Sequence, residues 1–106
     1  AALRAGEAER IEGLAAVVRQ VGGRAALLSC GPVWTGPYEV PYVAWELGTF
    51  LAEIEVDPIP GGVMLSARAA PLPPPPPGFR AVALDGLAAR HWELFATCPL
   101  RPAGRR

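Results

Sequence analysis

A run of prolines places the strongest constraint on how this chain can fold. Residues 71–78 hold six prolines, and Pro73 to Pro77 are consecutive. Proline fixes φ and carries no backbone N–H, so the run fits neither a helix interior nor a central strand. We expect an extended polyproline II segment that rises about 3 Å per residue. In a compact domain, a rigid loop between two strands explains it better than a ligand for a proline-binding module.

Length and composition indicate one globular domain over residues 1–106. The chain is 51% hydrophobic and 19% charged, and it is long enough to bury one modest core. Residues 1–6 and 99–106 are expected to be flexible ends. No apolar run is long enough to span a membrane. The formal net charge is zero and the arginines form no basic stripe, which argues against nucleic-acid binding.

The first half of the chain predicts two helices and two strands. Apolar side chains at helical spacing predict a helix over residues 7–21, which ends at a Gly-Gly pair. The run from Arg24 to Cys30 is apolar on both faces, as in a central strand. A short helix is expected to begin at Pro41, because proline is favoured at the first helical position, and to end at Gly48. Alternation over Leu51–Asp57 predicts a strand, so strand, helix and strand form one βαβ unit.

The second half predicts three more strands. They are expected at Val63–Ala70, Phe79–Leu84 and His91–Cys98, with the proline loop between the first two and a loop over residues 85–90. The predicted fold class is α+β. We expect a single mixed five-stranded sheet with one βαβ unit, two helices packed on one face, and late strands in an antiparallel meander.

The two cysteines allow two interpretations. Cys30 and Cys98 lie at the C-terminal ends of the first and last predicted strands, so their sulfur atoms can meet if those strands are parallel neighbours. A disulfide would close a loop of about 69 residues, which the chain-entropy estimate values at roughly 4 kcal/mol. Alternatively, both are buried free thiols that act as small hydrophobic side chains. Two cysteines and one histidine do not complete a structural zinc site.

Aromatic residues concentrate in and after the Gly/Pro loop over residues 31–40. Trp34 and Tyr38 follow the first predicted strand, where α/β sheets place ligand crevices. With Tyr42, they are the candidate binding residues, because exposed aromatic rings stack on sugars or anchor protein partners. The alternative is that Trp34 folds under the loop. For Tyr42, the alternative is that it is a core residue of the short helix. Trp45, on the same helix, is expected in the core.

Other polar residues carry no strong functional pattern. Glu53, Glu55 and Asp57 alternate along one strand face, and a solvated face explains them better than a cation site. His91 is the only histidine and is interpreted as a half-exposed strand residue. No catalytic residue, metal site or cofactor is predicted.

Three segments and a late cysteine carry a family resemblance. The segments are residues 23–32, residues 38–41 and residues 44–47, with Cys98 at the end of a strand. Together they resemble a soluble extracytoplasmic domain of largely uncharacterised actinobacterial membrane proteins, some of which are glycosyltransferase-like. The resemblance implies a location outside the cytoplasm, which would fit a Cys30–Cys98 disulfide. It assigns no site residue.

The expected function is therefore that of a non-catalytic accessory or binding domain. It would belong to a larger protein, attached to the membrane through a segment absent from this chain. The expected partner is the parent membrane protein, a carbohydrate or another protein, bound at residues 31–40. One alternative is a small cytoplasmic enzyme or enzyme subunit that uses the Cys30 thiol. The other is a purely structural module.

Overall fold

A computed structural model describes residues 5–100, and the outer parts of the two predicted flexible ends lie outside these residues. Five strands form one mixed sheet: β1 (Val33–Thr35), β2 (Ile54–Glu55), β3 (Val63–Ala67), β4 (Arg80–Val82) and β5 (Trp92–Ala96). Their order in the sheet is β2-β1-β3-β5-β4. β2 and β3 pair in parallel with the two sides of β1, whereas β5 pairs antiparallel with β3 and β4.

The predicted α+β class with a single mixed five-stranded sheet is confirmed. The late strands are antiparallel as expected, but β5 lies between β3 and β4, so their spatial order is not that of a simple meander. The described residues form four α-helices rather than two, and each contributes buried side chains to a core on one face of the sheet. The helices are α1 (Ala5–Gln20), α2 (Arg24–Leu28), α3 (Val40–Leu47) and α4 (Gly86–His91).

The segment predicted as the first strand is the helix α2. Ala and Leu have high helix propensity, and the run from Arg24 to Leu28 contains no β-branched residue. Ser29 ends the helix, and its hydroxyl donates to the carbonyl of Ala26 at 2.9 Å. The first strand is instead β1, inside the predicted Gly/Pro loop. The βαβ unit is therefore present, but it consists of β1, α3 and β2.

Two further segments differ from expectation. A 3₁₀ turn at Leu51–Glu53 precedes β2, which leaves only two residues of the predicted strand in the sheet. The predicted loop over residues 85–90 is mostly helix α4. Gln20 fixes the start of α4 to α1, because its side-chain amide exchanges hydrogen bonds of 2.9 and 3.0 Å with the backbone of Asp85.

The other face of the sheet is covered without a helix. The proline segment crosses it, and the side chains of Leu72 and Phe79, at either end of this segment, pack with Trp34 and Met64. The predicted rigid loop between two strands is thus the layer that closes the second face. Its start is fixed by the backbone N–H of Leu72, which donates to the hydroxyl of Ser66 at 3.0 Å.

Candidate functional site

The three candidate binding residues do not form one exposed surface. Trp34 lies in the middle of β1 and is only 1% exposed, so it is buried as in the alternative interpretation, but within a strand and not under the loop. Tyr38 is 83% exposed, just before α3. Tyr42 is partly buried against the helical core. Trp34 is therefore not available for surface stacking, and Tyr38 is the most exposed of the three rings.

Trp45 was expected in the core, and that expectation is wrong. α3 buries Val43, Ala44 and Leu47, and Trp45 lies outside this stripe and is 80% exposed. The i, i+4 spacing of Val43 and Leu47 already defined the inward face in the sequence. The helical periodicity therefore predicts the exposure of Trp45 correctly, whereas the apolar character of its side chain does not.

Two further exposed apolar side chains follow Trp45 closely in the chain, and sequence reasoning missed them. Phe50, which is 77% exposed, lies between the end of α3 and the 3₁₀ turn. Leu51, which is also exposed, is the first residue of that turn. We call Trp45, Phe50 and Leu51 the α3-end surface. Single exposed apolar residues are ordinary on protein surfaces, but neighbouring large ones are typical of interaction sites.

The backbone under the α3-end surface is held by local hydrogen bonds. Gly48 adopts a left-handed conformation and ends α3, and the N–H of Thr49 donates to the carbonyl of Ala44 at 3.0 Å. The Thr49 hydroxyl is hydrogen-bonded to the carboxylate of Glu53. The exposed rings therefore project from an ordered helix end.

A groove of about 300 Å³ lies beside this surface. It is lined by Arg24, Ala44, Trp45, Gly48 and Thr49, and we call it the Arg24–Trp45 groove. The guanidinium of Arg24 lies over Gly48, where a Cβ atom would come within 2.8 Å of Nη1. It makes neither a hydrogen bond nor an ion pair with a described residue. The groove thus combines an unpaired cation with an exposed aromatic ring.

Cys30 and Cys98 form a disulfide with a Cα–Cα distance of 5.6 Å. The bridge joins the turn after α2 to the segment after β5, and not the ends of two neighbouring strands. Three segments meet beside it: the N–H of Val63 donates to the carbonyl of Pro32 at 2.9 Å, and the N–H of Gly62 donates to the Thr97 hydroxyl at 2.9 Å. Because both cysteines are bridged, Cys30 offers no thiolate for catalysis.

Buried polar side chains gather at the opposite end of β1. Thr35 and Ser66 are satisfied, the first by donating to the carbonyl of Leu65 at 2.8 Å and the second by accepting from Leu72. Glu39 is 3% exposed, and its carboxylate packs against Gly36, where any Cβ would collide with it. Glu39 therefore lies at the end of β1 that faces the loop where a ligand is expected.

The remaining candidates have the expected exposure but not the expected secondary structure. His91 is half-buried but is the last residue of α4 rather than a strand residue, and of the three acidic residues only Glu55 lies in a strand. Nε2 of His91 lies 3.4 Å from the Glu9 carboxylate but makes no hydrogen bond, and Arg68 contacts Glu93 at 3.7 Å. Glu55 and Asp57 are exposed. No group of three or more potential metal ligands occurs within residues 5–100. In the same part of the chain, no helix has the length and apolar character needed to cross a bilayer.

Comparisons with protein-family models, curated proteins and solved structures give no significant match. The function of the chain therefore has to be argued from its own residues.

Proposed function

We propose that this chain is a non-catalytic, extracytoplasmic binding domain of a larger membrane-attached protein. Its recognition surface is the α3-end surface, together with Tyr38. The observation that carries the proposal is the exposure of large aromatic side chains on an ordered helix end. Aromatic side chains contribute large contact areas at a low entropy cost, which is why they dominate binding surfaces.

The location outside the cytoplasm is supported by the disulfide. Structural disulfides persist in oxidising compartments and are rare in the reducing cytosol. The cellular test is to add a membrane-impermeant alkylating reagent to intact cells that make the protein, with and without prior mild reduction. We expect Cys30 and Cys98 to be alkylated only after reduction. Alkylation without reduction, or protection from the reagent in both arms, would contradict an oxidised domain outside the membrane.

The binding role is tested by cross-linking from position 50 in the full-length protein. A photoreactive amino acid replaces Phe50, and a matched variant carries it at Arg80, which is also exposed but lies outside the α3-end surface. We expect a discrete product from position 50 that is lost with Trp45→Ala, and no such product from position 80. The same product from both positions would count against a specific surface.

The structural-module alternative predicts a different product. If the α3-end surface packs on the parent chain, the cross-link from position 50 should be intramolecular and should leave the mass of the protein unchanged. The Cys30 enzyme is not supported, because its nucleophile is consumed in the disulfide.

A further inference from the structure

Four cavities of the described chain each have an arginine in the wall, but the cavities differ in what surrounds that arginine. The cavity beside Arg68 contains the Glu93 partner of that side chain. In the cavity of about 440 Å³ beside Arg10 and His91, Nε of Arg10 also lacks a hydrogen-bond partner, but the wall contains no Trp, Tyr or Phe ring. The cavity beside Arg80 has no aromatic wall. The Arg24–Trp45 groove is the cavity that combines an unpaired guanidinium with an exposed ring.

From this combination we infer that the Arg24–Trp45 groove binds an acidic saccharide, with a sugar ring on Trp45 and its carboxylate on Arg24. The inference rests on the proposed function and names the ligand class of that surface. The two groups have separate roles. The indole offers a flat apolar face to the C–H side of a sugar ring. The guanidinium offers paired donors in the geometry of a carboxylate.

The groove's rim favours a saccharide over an aromatic acid. Its wall includes the C-terminal end of α3, where the helix dipole places partial negative charge, and the hydroxyl of Thr49, which is hydrogen-bonded to the carboxylate of Glu53. These groups accept hydrogen bonds and attract donors. Sugar hydroxyls supply donors, whereas an ionised aromatic acid such as phenylacetate has none. The same acceptors repel anions, so the carboxylate of the bound sugar ring is placed at Arg24.

The size of the groove agrees with a short saccharide. Its volume of about 300 Å³ is at the lower end of the range for small-molecule sites. Because the groove is open and Trp45 is 80% exposed, most of a bound sugar would stay in water. We therefore expect weak affinity, with a dissociation constant on the order of 1 mM for a trimer.

The test uses the 106-residue chain and two matched probes. One is a linear trimer of galacturonic acid, and the other is its methyl ester, which keeps the rings but loses the charge. All three tryptophans emit, but a change in emission on ligand binding should come mainly from Trp45, because Trp34 and Trp92 are buried. We expect the acid trimer to change the emission saturably, and the ester to bind about tenfold more weakly or worse.

Variants separate the groove from general electrostatics. We expect Arg24→Gln to weaken binding of the acid trimer about tenfold, and Arg80→Gln to leave it unchanged. Calorimetry with Trp45→Ala should show no binding. The inference is overturned if the acid trimer fails to bind at tens of millimolar, if its ester binds equally well, if Arg80→Gln has the same effect as Arg24→Gln, or if phenylacetate binds as tightly as the trimer.

Failure here is distinguishable from failure of the proposed function. A specific cross-link from position 50 with no saccharide binding would contradict only the assignment of an acidic saccharide as the ligand, and the proposed binding role would stand. Saccharide binding without the cross-link would support the groove as a ligand site but contradict the protein contact. Saccharide binding together with alkylation of Cys30 in unreduced cells would support the groove but contradict the location outside the membrane.

Discussion

The two faces of the sheet are both closed, but they are closed by different kinds of backbone. On the helical face, Trp92 is fully buried among the helices, and its indole N–H donates to the carbonyl of Arg10 in α1 at 2.8 Å. On the other face, Trp34 is buried to a similar degree under the proline segment, but its indole N–H has no partner.

The difference shows that burial and polar satisfaction are separate properties of a core. Helices bring rows of side chains and backbone carbonyls at fixed positions, so a buried donor can find an acceptor. A polyproline rod also carries carbonyl acceptors, but its extended geometry fixes where they lie, and none is within hydrogen-bond distance of the Trp34 indole N–H. We therefore expect substitutions of buried residues to lower the free energy of unfolding more on the helical face than on the proline-covered face.

Truncating each tryptophan should give the largest effects. Trp92→Ala is expected to lower the free energy of unfolding by about 5 kcal/mol, and Trp34→Ala by about 3 kcal/mol, because both leave large cavities but only Trp92 also loses a hydrogen bond. Chemical denaturation of both variants measures this. A larger loss for Trp34→Ala would contradict the ranking of the two faces.

Removing the disulfide should act mainly on the helical face. The variant with Cys30→Ser and Cys98→Ser is expected to lose roughly 4 kcal/mol, since the bridge constrains most of the unfolded chain. Cys30 packs against the helical core, so amides of α2 should exchange faster than those of β3. Uniform acceleration across both elements would mean that the bridge does not favour one face.

The sequence predicted the α+β class and the existence of a mixed five-stranded sheet correctly. Its main error was the run from Arg24 to Cys30, which carries no period that separates a buried strand from a short helix. Residue type would have decided the matter, because this run is rich in Ala and Leu, whereas β1 contains a Val, a Trp and a Thr. The strands are only two to five residues long, because packing with the rest of the fold limits them, and no local sequence pattern predicts their length.

The candidate site was less predictable than the fold. The pattern pointed to Trp34 and to the loop over residues 31–40, but the exposed rings lie mostly after this loop, on and after α3. The groove depends on Arg24, which approaches Gly48 only because α2 packs beside α3. The sequence alone does not decide whether the two cysteines pair, because no short-range pattern predicts a contact between residues 30 and 98.

Replacing each indole by a smaller ring without a donor isolates the polar difference. Trp92→Phe removes a hydrogen bond and leaves a buried carbonyl, so we expect a loss of about 2–3 kcal/mol. Trp34→Phe removes an N–H that has no partner, so the cost should be about 1 kcal/mol, from lost volume alone. Equal losses in thermal or chemical unfolding would show that the Trp34 donor is satisfied in solution, for example by a bound water.

The smallest expected effect concerns the single bond that fixes the start of the proline segment. Ser66→Ala removes the acceptor for the Leu72 N–H and should cost about 1 kcal/mol, because that donor is partly buried. Ser29→Ala is the control, since its hydroxyl bond at the end of α2 is exposed, and it should cost less than about 0.5 kcal/mol. The effect should also be local: in Ser66→Ala, exchange should accelerate at Leu72 and Phe79 before it does in α1. If α1 responds equally, the proline segment and the helices unfold as one cooperative unit, and the two faces differ in how they are closed but not in how they open.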